Sequence, residues 1–136
     1  MRIIGLDVGD KRIGVAVSDA LKKTAQGAGV IQRKNLEDDI NEIKNLAREY
    51  EADLIVVGLP LKMDGTSGER AKLVAEFIKI LNSALNIPVT TYDERLSTKE
   101  AEKFLISSDV SRKKRKRVVD IIAAQLILQS YLDRNK

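Results

Sequence analysis

The run Asp53-Leu54-Ile55-Val56-Val57-Gly58-Leu59 limits the fold more tightly than any other stretch of the chain. An almost unbroken apolar segment of strand length, ended by Pro60, reads as a β-strand covered on both faces, as in sheets flanked by helices. The rest of the pattern agrees. Ile3 to Val8 is a second apolar run, followed by the turn signal Gly9-Asp10-Lys11. Ile13, Val15 and Val17 then alternate with small residues. So short a connection makes a hairpin, with the second strand antiparallel to the first.

Thr24 to Arg33 is weakly strand-like and suits a third, edge strand. Leu36, Ile40, Ile43, Leu46, Ala47 and Tyr50 have helical spacing. A loop from Leu61 to Gly68 leads to a helix from about Glu69 to Leu85, and a short strand runs from Ile87 to Tyr92. Ser97-Thr98-Lys99-Glu100 has the form of a capping box for a further helix. The last helix is expected from about Arg117 to Leu132. The predicted order is β-β-β-α-β-α-β-α-α: an α/β fold with a five-stranded mixed sheet flanked by helices, in one domain over residues 1–136. Right-handed crossovers place the fourth and fifth strands parallel to the first. Ligands in such sheets gather beyond the carboxyl ends of the parallel strands. Those ends carry Asp7, the loop after Leu59, and Asp93-Glu94.

The chain contains neither cysteine nor histidine. That excludes thiol nucleophiles, Ser-His-Asp triads and nearly every zinc site. Chemistry must come from carboxylates, lysines, hydroxyls or a hard cation, Mg²⁺ above all. With no apolar run of about 18 residues and no signal-peptide core near Met1, a cytoplasmic protein is expected.

Three acids stand out. Asp7 interrupts an apolar strand near its end, either to cap the turn at Gly9 or to bind a metal. Asp93 and Glu94 follow the fifth strand; neighbours on an extended chain point to opposite faces, so one of them faces the site, and the spacing leaves open which. Asp120 shares a helix face with Ala123, Ala124, Ile127 and Tyr131, while Gln125, Gln129 and Asp133 form a polar stripe on the other side. A carboxylate pointing inward needs a cation or several donors. The competing readings are a salt bridge to Lys11 or Arg95 and a metal site, and the second is preferred. Asp7, Glu94 and Asp120 together, with Asp93 as an alternative ligand, suit two divalent ions that activate water and stabilise the leaving oxygen of a phosphodiester.

The net charge is +4, and Arg112-Lys113-Lys114-Arg115-Lys116-Arg117 is an unbroken basic run just before the helix carrying Asp120. It reads as a phosphate-backbone contact, with a solvated loop or basic tail as the plain alternative. Lys11, Arg12 and Arg95 are further candidate phosphate contacts. Aromatics make up 4% of the chain with no Trp, which argues for backbone and shape recognition over base stacking. The loop Gly65-Thr66-Ser67 before a helix is a weaker phosphate site, or a plain loop and cap. It is not a P-loop, since no Gly-Lys-Ser/Thr follows.

Four motifs resemble one family. Leu6-Asp7-Val8-Gly9 with Lys11-Arg12-Ile13-Gly14-Val15-Ala16 and Ser18-Asp19 resembles the opening motif of the YqgF family, also called RuvX. Val57-Gly58-Leu59-Pro60 with Asp64-Gly65-Thr66 resembles its second motif. Asp93-Glu94-Arg95-Leu96-Ser97-Thr98 with Ala101-Glu102 resembles its third. Asp120 with Ala123-Ala124 and Ile127-Leu128-Gln129 through Tyr131-Leu132 resembles its C-terminal helix. The resemblance implies an RNase H-like fold related to RuvC, catalytic acids at Asp7, Glu94 and Asp120, and a bacterial cytoplasmic protein. It also implies a nuclease maturing the 5′ end of pre-16S ribosomal RNA, with Mg²⁺ or Mn²⁺ as cofactor. Holliday junction resolution is the older description of the family, and a branched substrate would favour a homodimer over a monomer. Two other classes remain: a non-catalytic nucleic-acid adaptor, whose mark would be a broken acid set, and actin-like ATPases, which need two such domains where this chain has length for one.

Overall fold

A computed structural model describes the backbone of residues 1–60, 68–93 and 112–134, and the side chains of these except within 112–117. Its elements are β1 (Arg2–Val8), β2 (Arg12–Ser18), β3 (Ala25–Gln32), α1 (Leu36–Glu49), β4 (Ala52–Leu59), α2 (Glu69–Ala84), β5 (Val89–Asp93) and α3 (Arg112–Arg134). The sheet has five strands in the order β3-β2-β1-β4-β5. β2 is antiparallel to β1 and β3, while β4 is parallel to both β1 and β5. The hairpin, the edge position of β3 and a β4 covered on both faces, with Ile55 and Val57 in one core and Val56 in the other, are as the sequence predicts. The capping-box helix after Ser97 lies outside the described residues.

Strand alternation sorts side chains onto two cores. Ile4, Leu6, Val8, Ile13, Val15, Ile55 and Val57 face α1 and α2 with Ile43, Phe77 and Leu81. Ile3, Ala16 and Val56 face α3, against Ala124, Ile127, Leu128 and Leu132. The α3 side is lined by small residues, which allows close approach. Gly5 is one such place, because a Cβ there would lie 2.7 Å from the Cβ of Leu128.

β3 carries a bulge. Val15 pairs with Gly29 and Ala16 with Gly27, so Ala28 is the extra residue. The insertion reverses which face odd-numbered residues take. Ala25 therefore packs on the α3 side and Ile31 on the other.

Local chemistry fixes the helix ends. The Asn35 side chain accepts a hydrogen bond from the Asp38 amide at 2.9 Å, and Glu37, Asp38 and Asp39 place negative charge in the first turn of α1. β5 begins at Val89, two residues later than predicted. Pro88 has no N–H to donate, although its carbonyl accepts from the Ile55 amide at 3.0 Å.

The basic run is corrected by α3. Residues 112–117 are the first turns of the helix itself, neither a preceding loop nor a tail. Lys and Arg are good helix formers, and no Gly or Pro interrupts the chain from Arg112 onward, so nothing stops the helix short of it. No helix among the described residues is long and apolar enough to cross a membrane.

Candidate functional site

The site grows from a register. Asp7 on β1 lies directly opposite Gly14 on β2. Residues opposed in an antiparallel pair project to the same face, with Cβ positions about 5 Å apart. The direction from Gly14 is known, because a Cβ built there would run into the backbone carbonyl of Asp120. The Asp7 side chain therefore leaves the sheet toward α3 beside Asp120. Asp7 is half-buried, as is Asp120. A strand residue and a helix residue far apart in sequence thus meet over one glycine, with two backbones as the spacer.

Arg12 opens β2 on this same face. Its Nε donates to Asp120 Oδ2 at 2.6 Å, with the two side chains 27% and 20% exposed. Sequence reasoning offered Lys11 or Arg95 as the ionic partner of Asp120; the structure gives Arg12. Alternation explains the choice: Arg12, Gly14 and Ala16 share the α3 face, whereas Ile13 and Val15 point away. Short, charge-assisted and partly shielded from water, this is a strong member of its class.

The remaining predicted residues divide. Asp93 pairs with Leu59, which packs on the α1/α2 side, so Asp93 projects away from Asp7 and Asp120 and is exposed. Glu94, Arg95, Gly65, Thr66 and Ser67 lie outside the described residues, as do the side chains of Arg112 to Arg117. Among the described residues no three acids are grouped closely enough to hold a metal. Gly68 is the N-cap of α2, with no side-chain cap bond.

Lys11 stands apart from Arg12. It lines a groove of about 690 Å³ on the α1/α2 side of the β1–β2 turn, with Arg33, Lys34 and Arg70. Arg33 is built in. Its Nε donates to the buried Asp39 at 3.1 Å, its Nη1 donates to the Gly9 carbonyl at 2.8 Å, and its guanidinium stacks 5.2 Å from the Phe77 ring centre. Asp39 Oδ1 also accepts from the Lys34 amide at 3.0 Å. This network holds the turn that follows Asp7. Sequence reasoning named Lys11 but missed Arg33, Lys34 and Arg70, because two further segments distant in the chain supply them. One signal was available: Arg70 sits in the first turn of a helix, where the dipole disfavours a cation.

The predicted polar stripe on α3 also has a different role. Gln129 accepts from the Ala25 amide at 2.9 Å and donates to the Lys23 carbonyl, and Gln125 donates to the Ala25 carbonyl. These glutamines fasten α3 to the start of β3, because the helix lies across the small-residue face of that strand.

The fold and the sequence both have clear relatives. A family model described as RuvX, Holliday junction resolvase, matches residues 1–134. A Halothermothrix orenii protein named "Putative pre-16S rRNA nuclease" is 56% identical over 98% of this chain and 95% of its own length. A Syntrophomonas wolfei protein of the same name is 52% identical over 98% of this chain and 94% of its own. Among solved structures, the Fowlpox virus resolvase in complex with Holliday junction DNA superposes with a TM-score of 0.61 at 17% identity, covering 99% of each chain. Thermus thermophilus RuvC with a Holliday junction substrate gives 0.56 at 13% identity, over 99% of this chain and 95% of that one. The architecture is therefore RNase H-like. With a family match that runs from the first residue into the last turn of α3, and relatives more than half identical along it, this chain belongs to the RuvX family.

Proposed function

We propose that the chain is a divalent-metal-dependent nuclease that hydrolyses phosphodiester bonds in RNA, and that its substrate is the 5′ region of pre-16S ribosomal RNA in the cytoplasm. The reading rests on the register that sets Asp7 opposite Gly14 and on the backbone of Asp120 packed against that same glycine, with both acids half-buried. The names of the relatives support the RNA substrate.

The donor set fits a hard cation. Both residues offer carboxylate oxygens from regular elements, and the chain has no His or Cys to favour a softer metal. Asp7, Glu94 and Asp120 would hold Mg²⁺ or Mn²⁺, which supplies an activated water and charge stabilisation at the leaving oxygen. The protein's part is orientation: Asp7 is fixed by the β1–β2 ladder and Asp120 by the packing of α3. Lys11, Arg12, Arg95 and the basic run Arg112 to Arg117 would contact phosphates. The groove cations Arg33, Lys34 and Arg70 extend positive charge around the same edge of the sheet.

The family model's description favours a second reading, cleavage of branched DNA. The test is cleavage by wild type and Asp7→Asn of a 5′-extended ribosomal RNA precursor and of a four-way DNA junction, with Mg²⁺, with Mn²⁺ and with chelator. Metal-dependent RNA cleavage that disappears in Asp7→Asn is expected. Preferred junction cutting promotes the second reading, and binding of both substrates without cleavage overturns catalysis.

A further inference from the structure

The Arg12–Asp120 pair sits where the proposed function needs a metal ligand, and the same guanidinium is a candidate phosphate contact. Both demands fall on one hydrogen bond. Only Nε of Arg12 bonds to Asp120 Oδ2. Among the described residues the two terminal nitrogens make no hydrogen bond, and a guanidinium matches a phosphate through just such a fork. The pair is not an isolated surface contact. Arg12 is held at the start of β2, opposite Gln32 of β3, and Asp120 is held by the close approach of α3 to Gly14. Both backbones are held by packing and pairing, so the long Arg12 side chain is the part that gives most easily.

A divalent cation on Asp120 would stand a few ångströms from this guanidinium, and two cations that close repel strongly in a partly shielded site. We propose that Arg12 is an internal competitor for the metal: its guanidinium and a divalent cation bind Asp120 Oδ2 in exclusive alternation, and the released side chain then takes the substrate phosphate. Metal loading and phosphate recognition are thereby coupled through one residue. The metal lowers the affinity of Asp120 for Arg12 and frees a cation for the polyanion. By linkage, a bound phosphate that captures Arg12 tightens the metal by the same factor. The inference rests on the reading of Asp7 and Asp120 as metal ligands.

The first test needs no substitution. The Arg12 Nε–H signal is followed by NMR in the wild-type protein while Mg²⁺ is added, together with the backbone signals of Asp7 and Asp120. The Arg12 signal is expected to move from a carboxylate-bonded position toward that of a solvated arginine, saturating with the Asp7 and Asp120 signals. If those signals respond and Arg12 stays in place, the competition is overturned while the metal site stands. If nothing responds to Mg²⁺, both readings fail together.

The second test is Mn²⁺ affinity by calorimetry for wild type, Arg12→Ala, Arg12→Lys and Lys11→Ala. Arg12→Ala should tighten Mn²⁺ by about tenfold or more, the factor equivalent to one charge-assisted hydrogen bond. Arg12→Lys should tighten it less, because the charge remains. Lys11→Ala removes a neighbouring charge that faces the groove and should change affinity by less than about twofold, as screened surface charges do. Equal tightening by Lys11→Ala and Arg12→Ala would reduce the effect to general electrostatics and overturn the specific competition.

Discussion

Gly14→Ala is the most informative single change, because one methyl group tests both the packing and the site. The added Cβ falls inside the carbonyl of Asp120. Both partners are backbone, one in the middle of a strand and one in a long helix, so no rotamer change relieves the overlap. Reaching an acceptable C···O separation of ~3.3 Å requires α3 to retreat on the order of 1 Å. A gap of that size forfeits a quarter to a half of the dispersion attraction across the interface. The face that lifts carries Ala123, Ala124, Ile127 and Leu128, all fully buried. Overpacking costs about 1–3 kcal/mol, and a backbone-on-backbone overlap belongs at the top of that range, near 3 kcal/mol. Urea unfolding followed by circular dichroism measures it, with a lower midpoint and an unchanged slope expected. Gly5→Ala provides the internal scale. Its new Cβ would meet Leu128 at 2.7 Å and the Ala124 carbonyl at 3.2 Å, a milder conflict that should cost less. Displacement of Asp120 by about 1 Å should also reduce cleavage by on the order of a hundredfold under conditions where the protein stays folded. A Gly14→Ala protein within about 1 kcal/mol of wild type, or more stable than Gly5→Ala, would refute the close approach that sets Asp7 beside Asp120.

Asp120→Asn keeps the shape and leaves an oxygen to accept from Arg12, so stability should fall by about 1 kcal/mol or less while cleavage is lost; full activity would remove Asp120 from the site. Asp39→Ala strands Arg33 and unties the Gly9 carbonyl, and about 2 kcal/mol of destabilisation is expected by thermal or urea unfolding, with faster hydrogen exchange in the β1–β2 turn. The Thr24 and Lys23 amides, in that order, hold the Asp19 carboxyl below its usual pKa. A lowered folded pKa means stabilisation that is present above the unfolded value of about 3.9 and lost as pH falls through the folded one. The stability difference between wild type and Asp19→Ala should therefore be constant near neutrality and shrink in acid; a difference that grew in acid would contradict the assignment. Neutralising Arg112 to Arg117 should flatten the salt dependence of RNA binding by up to ~0.7–0.9 in log–log slope for each phosphate that the run neutralises, and an unchanged slope would make the run a bystander.

What the sequence made legible follows the strength of its periodicities. β1, β2, α1 and α2 are readable because each has a consistent apolar face, which the burial of Ile4, Leu6, Ile13 and Val15 obeys, and β4 is readable as an unbroken apolar run that feeds both cores. β3 was faint for a structural reason. The bulge at Ala28 breaks the period of two in mid-strand, so residues on either side of it obey opposite parities. The start of α3 was placed at Arg117 because a run of six cations carries no apolar period, although each residue in it is a competent helix former. At the site, Asp7 and Asp120 were both visible as charges on apolar faces. Their meeting over Gly14 was not, because a glycine opposite an acid leaves no pattern in one dimension. Pairing was less legible still. Arg12 is separated from Asp120 by most of the chain, and its adjacent residue Lys11 differs only in which side of the turn it faces.

The same interface therefore serves two ends. The face of α3 that closes the second core with Ala124, Ile127 and Leu128 is the face that carries Asp120, and the small residues that admit it are Gly5, on the strand of Asp7, and Gly14 and Ala16, on the neighbouring β2. Long side chains at those positions would bury more apolar surface, but they would hold the helix away and separate the two carboxylates. Small residues give up some of the hydrophobic gain in return for a fixed, short spacing set by backbone packing. The backbone part of that spacing is set by the close approach of α3 to Gly14. Among the described residues, the Arg12 side chain reaches this face on a long, flexible stem and is joined to Asp120 by one hydrogen bond. A site built this way has its ligands preorganised and its adjustable charge concentrated in one residue, which is where a change of ligand or substrate is felt first.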